Sequence, residues 1–94
     1  MRKSSVKAMS SSALIEEYAA IGIRQDQAIE EFDNRTYNRL LPRLTAIADA
    51  LKSRPGDERR LLIPLLEHPN WQLRLNATHD LLAVAQDSAR ATLE

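Results

Sequence analysis

Three arginines, Arg35, Arg39 and Arg43, recur at i, i+4 and i+8, a spacing that stacks guanidinium groups along one side of a helix. Such a row could track phosphates, extended by Arg54, Arg59 and Arg60. It could instead pair with Glu30, Glu31 and Asp33 across the turn that precedes it. Like charges at this spacing repel by about 0.2–0.5 kcal/mol per pair, so something must offset them. Pairing is the preferred reading, because 13 basic and 13 acidic residues leave no net charge. Nucleic acid is thereby the secondary partner class.

No other grouping supplies a reaction. Glu16/Glu17 and Glu30/Glu31 are adjacent carboxylates, which helical proteins mostly carry as solvated faces. His68 and His79 stand eleven positions apart on different elements, not at the i, i+4 spacing that lets one helix face hold a metal. Asp80 follows His79 directly and so points to another part of the helix wheel, which argues against a His/Asp relay. There is no cysteine, hence no thiolate nucleophile, thiolate metal site or disulfide, and no glycine-rich phosphate loop. The sequence therefore predicts no catalytic residue, metal or cofactor. The absence of cysteine suits a reducing, cytoplasmic setting.

The elements that would hold these residues are helical. Gly occurs twice and Pro four times in 94 residues, while Ala, Leu, Glu, Gln and Arg, which lose least on entering a helix, are abundant. The first ten residues, with Arg2, Lys3 and Lys7, read as a loose basic tail. No apolar run approaches the roughly 20 residues a membrane helix needs. Charge is uneven along the chain: residues 10–33 hold six acids and one base, and residues 35–60 hold seven bases and three acids.

A first amphipathic helix is expected over about 12–32, capped by Ser11 or Ser12, with Leu14, Ile15, Tyr18, Ile21, Ala28, Ile29 and Phe32 inward and Gln25 as a polar intruder. A second, over about 35–53, places Tyr37, Leu40, Leu41, Leu44, Ile47, Ala48 and Leu51 on one face, and Pro42 should bend it. Pro55 and Gly56 break the chain. A third helix is expected over 57–67 despite Pro64, and Pro69 bars α geometry at His68 before Asn70 caps a fourth over about 70–85. On that helix an inward arc runs through Trp71, Leu73, Leu75, Ala77, Thr78, Leu81, Leu82, Val84 and Ala85, leaving Gln72, Asn76, His79, Asp80 and Ala83 for water. A short fifth helix, over 88–94, is expected to turn Ala89 and Leu93 inward.

The segment LLIPLLEHPNWQLRLNATHDLLAVA resembles a HEAT repeat. Pro64 takes the internal-proline position, Pro69 the turn, Leu73 and Arg74 the Val-Arg pair, and Ala77 the small residue, while His68 stands where the repeat has Asp. The resemblance covers about residues 57–85 and implies an all-α fold of about five helices in a right-handed α-α superhelix. Across the whole chain, a long acidic helix, a helix beginning TYNRL, a Pro-Gly break and HPNWQLR are similar to a bacterial family catalogued as domain of unknown function 2019. That resemblance implies HEAT-like helical proteins without an assigned activity. Arg74 falls within the apolar arc, so its guanidinium must be paired or reach helix-end carbonyls.

The expectation that follows is a non-enzymatic module for protein partners or self-association, with Trp71 and Leu93 as candidate contacts and no membrane segment. Arg35, Arg39 and Arg43 are the candidate phosphate contacts of the alternative.

Overall fold

The computed structural model describes residues 5–93, with side chains described through Arg90. Helix α1 spans Ser11–Glu30, and Ser10 caps it by accepting from the Ala13 amide at 3.1 Å. The cap thus falls before both expected positions, Ser11 and Ser12. The Ser11 hydroxyl is engaged elsewhere, donating to Glu58 and accepting from Arg54 Nη1 at 2.8 Å.

α1 ends two residues before the expected Phe32. The Phe32 amide bonds the Ile29 carbonyl at 3.1 Å and the Asp33 amide bonds the Ala28 carbonyl at 2.8 Å, the paired closure of a Schellman motif. That closure needs a left-handed residue, and Phe32 takes the role at φ 56°. The ring leaves the apolar stripe as a result and stands 91% exposed.

Helix α2 spans Asn34–Ser53, capped by Asp33, which accepts from the Thr36 amide at 3.0 Å and hydroxyl at 2.6 Å. It runs unbroken through Pro42. Pro42 and Asn38 are both exposed, so the carbonyl that Pro42 deprives of its amide partner can turn to solvent. The chain then reverses through Gly56 at φ 79° and Asp57 at φ 54°.

Residues Glu58–Glu67 form a 3-10 segment rather than the expected α-helix. Pro64 lies in its middle, where α geometry would both lose an amide and press the ring on a carbonyl four residues earlier. The two helices expected over 70–85 and 88–94 are one, α3, spanning Trp71–Leu93. Gln86 and Asp87 do not interrupt it, since neither lacks an amide proton and α geometry is open to both. Asn70 caps α3 as its sequence position suggests, accepting from the Gln72 and Leu73 amides at 3.0 and 3.2 Å.

The described part of the N-terminal stretch is not a loose tail. Val6–Ala8 form a 3-10 turn, and Val6 and Met9 pack on the core. Arg54 holds this turn down by donating to the Val6 and Met9 carbonyls at 3.3 and 2.6 Å. Residues 1–4 lie outside the described residues.

Among the described residues the fold is an all-helical bundle without strands. α1 and α2 make a hairpin around Leu14, Tyr18, Ile21, Leu40, Ile47 and Leu51, and Leu62, Leu73 and Ala77 close it from the 3-10 segment and α3. Each fully buried large side chain contributes about 1.5–3 kcal/mol. α1 meets α3 at Gly22, where a Cβ would lie 2.9 Å from Leu73 Cδ1 and 3.2 Å from its Cα. Only glycine permits that approach without displacing Leu73. α2 and α3 both rest on α1 and the 3-10 segment and scarcely meet one another, which leaves a groove between them.

Candidate interaction surface

The inward edge of α3 is unexpectedly polar. Gln72 and Gln25 are both fully buried. Gln72 Nε2 donates to Asn76 Oδ1 at 2.9 Å, and Asn76 Nδ2 donates to Gln25 Oε1 at 2.7 Å. One helical turn further, the Tyr18 hydroxyl donates to Asp80 Oδ2 at 2.5 Å. Burial first, and the Asp80 carboxylate second, push the Tyr18 phenol far above its ordinary range, so it stays protonated and remains the donor. Gln25, the intruder in the apolar stripe of α1, thereby finds an amide partner across the bundle, although its Nε2 is buried without one.

This edge borders the groove, a concavity of ≈ 580 Å³ walled by Leu41, Leu44 and Ala48 of α2 and by Leu75, Asn76 and Ala83 of α3. Arg59 reaches its lining and is itself buried. The Arg59 Nε and Nη2 donate to Asp57 Oδ1 and Oδ2 at 2.8 and 2.6 Å, and Nη2 also donates to Asp87 Oδ2 at 3.0 Å. A bidentate bond of this kind fixes orientation as well as charge, so Arg59 ties the strained Asp57 turn to the far half of α3. It holds the Asp57 carboxyl below the usual aspartate range, chiefly through its side-chain hydrogen bonds.

The outward side of α3 is apolar. Trp71, Leu75 and Leu82 are 47, 54 and 59% exposed, and Thr78, Ala85 and Ala89 are exposed beside them. The six positions are spaced 4-3-4-3-4, the seam of a heptad pattern. The expected arc over helix four is therefore corrected. Leu73, Ala77 and Val84 are buried, but so is Gln72, while Trp71, Leu75, Thr78, Leu82 and Ala85 face solvent. Polarity alone could not place Gln72 and Asn76, since a buried amide is tolerated once it is bonded.

Trp71 is fixed at the head of this stripe. Its Nε1 donates to Asp26 Oδ1 at 2.9 Å, and the other Asp26 oxygen accepts from Asn70 Nδ2 at 3.0 Å. One carboxylate of α1 thus holds both the capping residue and the first residue of α3. The Thr78 hydroxyl donates to the Arg74 carbonyl at 2.8 Å, so the polar group in the middle of the stripe is satisfied within the helix. Leu93 closes α3, and its side chain lies outside the described residues.

The other singled-out residues are scattered. Arg74 is exposed and donates to the His68 and Pro69 carbonyls at 2.8 and 2.9 Å, closing the turn from the 3-10 segment into α3. Pro64 and Pro69 are exposed. Arg43 pairs with Glu17 of α1 through two nitrogens, the Nη2 bond measuring 2.9 Å, not with the expected Glu30, Glu31 or Asp33. Arg35 and Arg39 remain exposed. With Arg43, Arg54 and Arg59 engaged by the fold itself, the six arginines are not assembled into one phosphate track. His79 Nδ1 is 3.6 Å from Asp80 Oδ1, too long for a hydrogen bond. Among the described residues, no group of three His, Asp or Glu comes together as a metal would require, and no helix is long and apolar enough to cross a membrane.

Fold and surface together define a small all-α bundle with one helix turned partly outward. The chain belongs to the family described as Domain of unknown function (DUF2019), whose model matches residues 12–94. It is similar to the protein RPA1889 from Rhodopseudomonas palustris CGA009, known from a crystal structure. The two are 38% identical with a TM-score of 0.84, over 97% of this chain and 75% of that one. No curated protein matches the chain.

Proposed function

We propose that this protein is a non-enzymatic docking module that engages a protein surface through the outward stripe of α3. The observation that carries the reading is the exposure of Trp71, Leu75 and Leu82 in one row on a helix whose opposite edge is already bonded into the bundle. Contiguous exposed apolar rows of this kind mark interaction sites more often than isolated exposed residues do, and a tryptophan held rigid by Asp26 is a suitable anchor.

The 3-10 segment and α3 are read as one HEAT-like helix-turn-helix unit. Pro64, Pro69, Leu73 and Ala77 keep the repeat's spacing, and the bonds from Arg74 to the turn carbonyls support a structural role for that arginine. The reading fits a cytoplasmic protein. Binding of nucleic acid through α2 is disfavoured, because Arg35 and Arg39 are left without Arg43 as a continuous row.

The test compares the wild type with a Leu75→Ser/Leu82→Ser variant as baits for proteins of the native cell. Both positions are exposed, so the variant should keep its fold and thermal midpoint. The docking reading expects proteins captured by the wild type to be lost with the variant. Identical capture by both would overturn it.

A further inference from the structure

We propose that the outward stripe of α3 is shaped for the same stripe of a second copy, running antiparallel across a two-fold axis. The inference rests on the docking reading and names its partner.

Two properties of the row point to a copy of itself. Trp71 and Leu75 open the exposed seam, Thr78 and Leu82 flank its midpoint, and the small Ala85 and Ala89 close it. Reversal about the point midway between Thr78 and Leu82 sets Trp71 against Ala89, Thr78 against Leu82, and Leu75 against Ala85. Every layer then joins a larger side chain to a smaller one, and the gap between the two helices stays nearly uniform. A parallel pair would instead set Trp71 on Trp71 and Ala89 on Ala89, wedging the helices apart at one end and leaving them unfilled at the other.

The spacing agrees. Positions 71, 78 and 85 form one heptad series and 75, 82 and 89 the other, and the reversal maps each series onto the other. That is a self-complementary patch of the kind a two-fold interface requires.

The surroundings permit the contact. The stripe lies opposite Leu73, Ala77 and Val84, which face the bundle core, and only its Leu75 edge also borders the groove towards α2. No acidic or lysine side chain interrupts it. Trp71 is already held by Asp26, so little side-chain freedom is lost on pairing. From Trp71 to Ala89 the contact is about 27 Å long.

The chain has no cysteine, which allows a direct test. Leu75→Cys and Ala85→Cys are made separately, checked for unchanged helicity, and oxidised alone and as a mixture. The antiparallel pair predicts that the mixture cross-links at least about tenfold more than either variant alone. Sedimentation of the wild type, at concentrations rising to about 1 mM where even millimolar association is visible, should show a monomer–dimer equilibrium that Leu82→Ser abolishes. Preferential linking of Leu75→Cys to itself would overturn the antiparallel arrangement. A strict monomer throughout would overturn self-pairing, and the capture experiment would then decide by itself whether the stripe docks on another protein.

Discussion

Helices α1 and α3 treat their two sides in opposite ways. α1 buries Leu14, Tyr18, Ile21 and Ala28 and leaves Glu16, Arg24 and Glu30 in solvent. α3 buries Leu73, Ala77 and Val84 together with Gln72, and turns Trp71, Leu75 and Leu82 outward. The difference follows from the neighbours. α1 lies beneath α2, the 3-10 segment and α3, so most of its apolar stripe is covered, although Ile23 and the inward-expected Ile29 stay partly in solvent. α3 has α1 on one side, the 3-10 segment beside it and only the open groove towards α2. It carries more apolar side chains than that cover can bury, and the surplus faces out. An outward surplus paired with an inward polar edge is hard to explain as stability alone, since exchanging the two would bury more apolar surface. It is the arrangement expected of a helix that has a second surface to meet.

The comparison breaks most sharply at Leu73 and Leu82, two leucines of the same helix. Leu73→Ala should lower the unfolding free energy by about 2–5 kcal/mol through the cavity it leaves, whereas Leu82→Ala should change the monomer by less than about 0.5 kcal/mol. Urea denaturation of the two variants measures both values, and equal losses would show that the outward face is not outward. Gly22→Ala comes next. Alanine is the better helix former by about 0.8–1.0 kcal/mol, but its Cβ would strike Leu73 against the backbone of α3. A net loss of about 1–3 kcal/mol is expected, and a gain would mean that α1 and α3 are not in close contact.

Tyr18→Phe tests the inward polar edge. Asp80 would lose its donor, at a cost of about 1–2 kcal/mol, and thermal denaturation should register the lowered midpoint. The smallest effect is on pH dependence. Asp57 has a folded-state pKa below its unfolded value of about 3.9 because Arg59 donates to it. The stability this supplies is complete above the unfolded value and is lost as pH falls through the folded one. Asp57→Asn should flatten the acid limb of the stability profile below about pH 4, and an unchanged limb would remove Asp57 from the account.

Much of the bundle is legible in the residues themselves. The 3.6-residue recurrence of Leu14, Tyr18, Ile21 and Ala28, and of Leu40, Ile47 and Leu51, places α1 and α2 correctly, and Pro55-Gly56 and His68-Pro69 mark the real breaks. Asn70 is recognisable as a cap from its position before Trp71. What cannot be read locally is which side of α3 turns in. A helix wheel assigns apolar residues to the core, and Gln72 and Asn76 go the other way because Gln25 waits for them on α1. The one local sign is Gln25 itself, a polar residue in an otherwise apolar stripe, which needs a partner wherever it is buried. Likewise the nearby Asp57 gives no hint that Arg59 is buried, because the partner that ties it under α3, Asp87, lies 28 residues away. The candidate surface is legible only in part: Trp71 stands out as the single tryptophan, but Leu75 and Leu82 look like core until the polar edge is placed.

The single tryptophan offers the most direct measurement, because Trp71 sits half-exposed at the head of the stripe. Its emission should move to shorter wavelength, and become shielded from iodide, as the concentration of the wild-type protein rises, while the Leu75→Ser/Leu82→Ser variant should show neither change. An emission maximum and quenching constant that stay the same at every concentration in both proteins would contradict the claim that α3 is built to meet its own outward face.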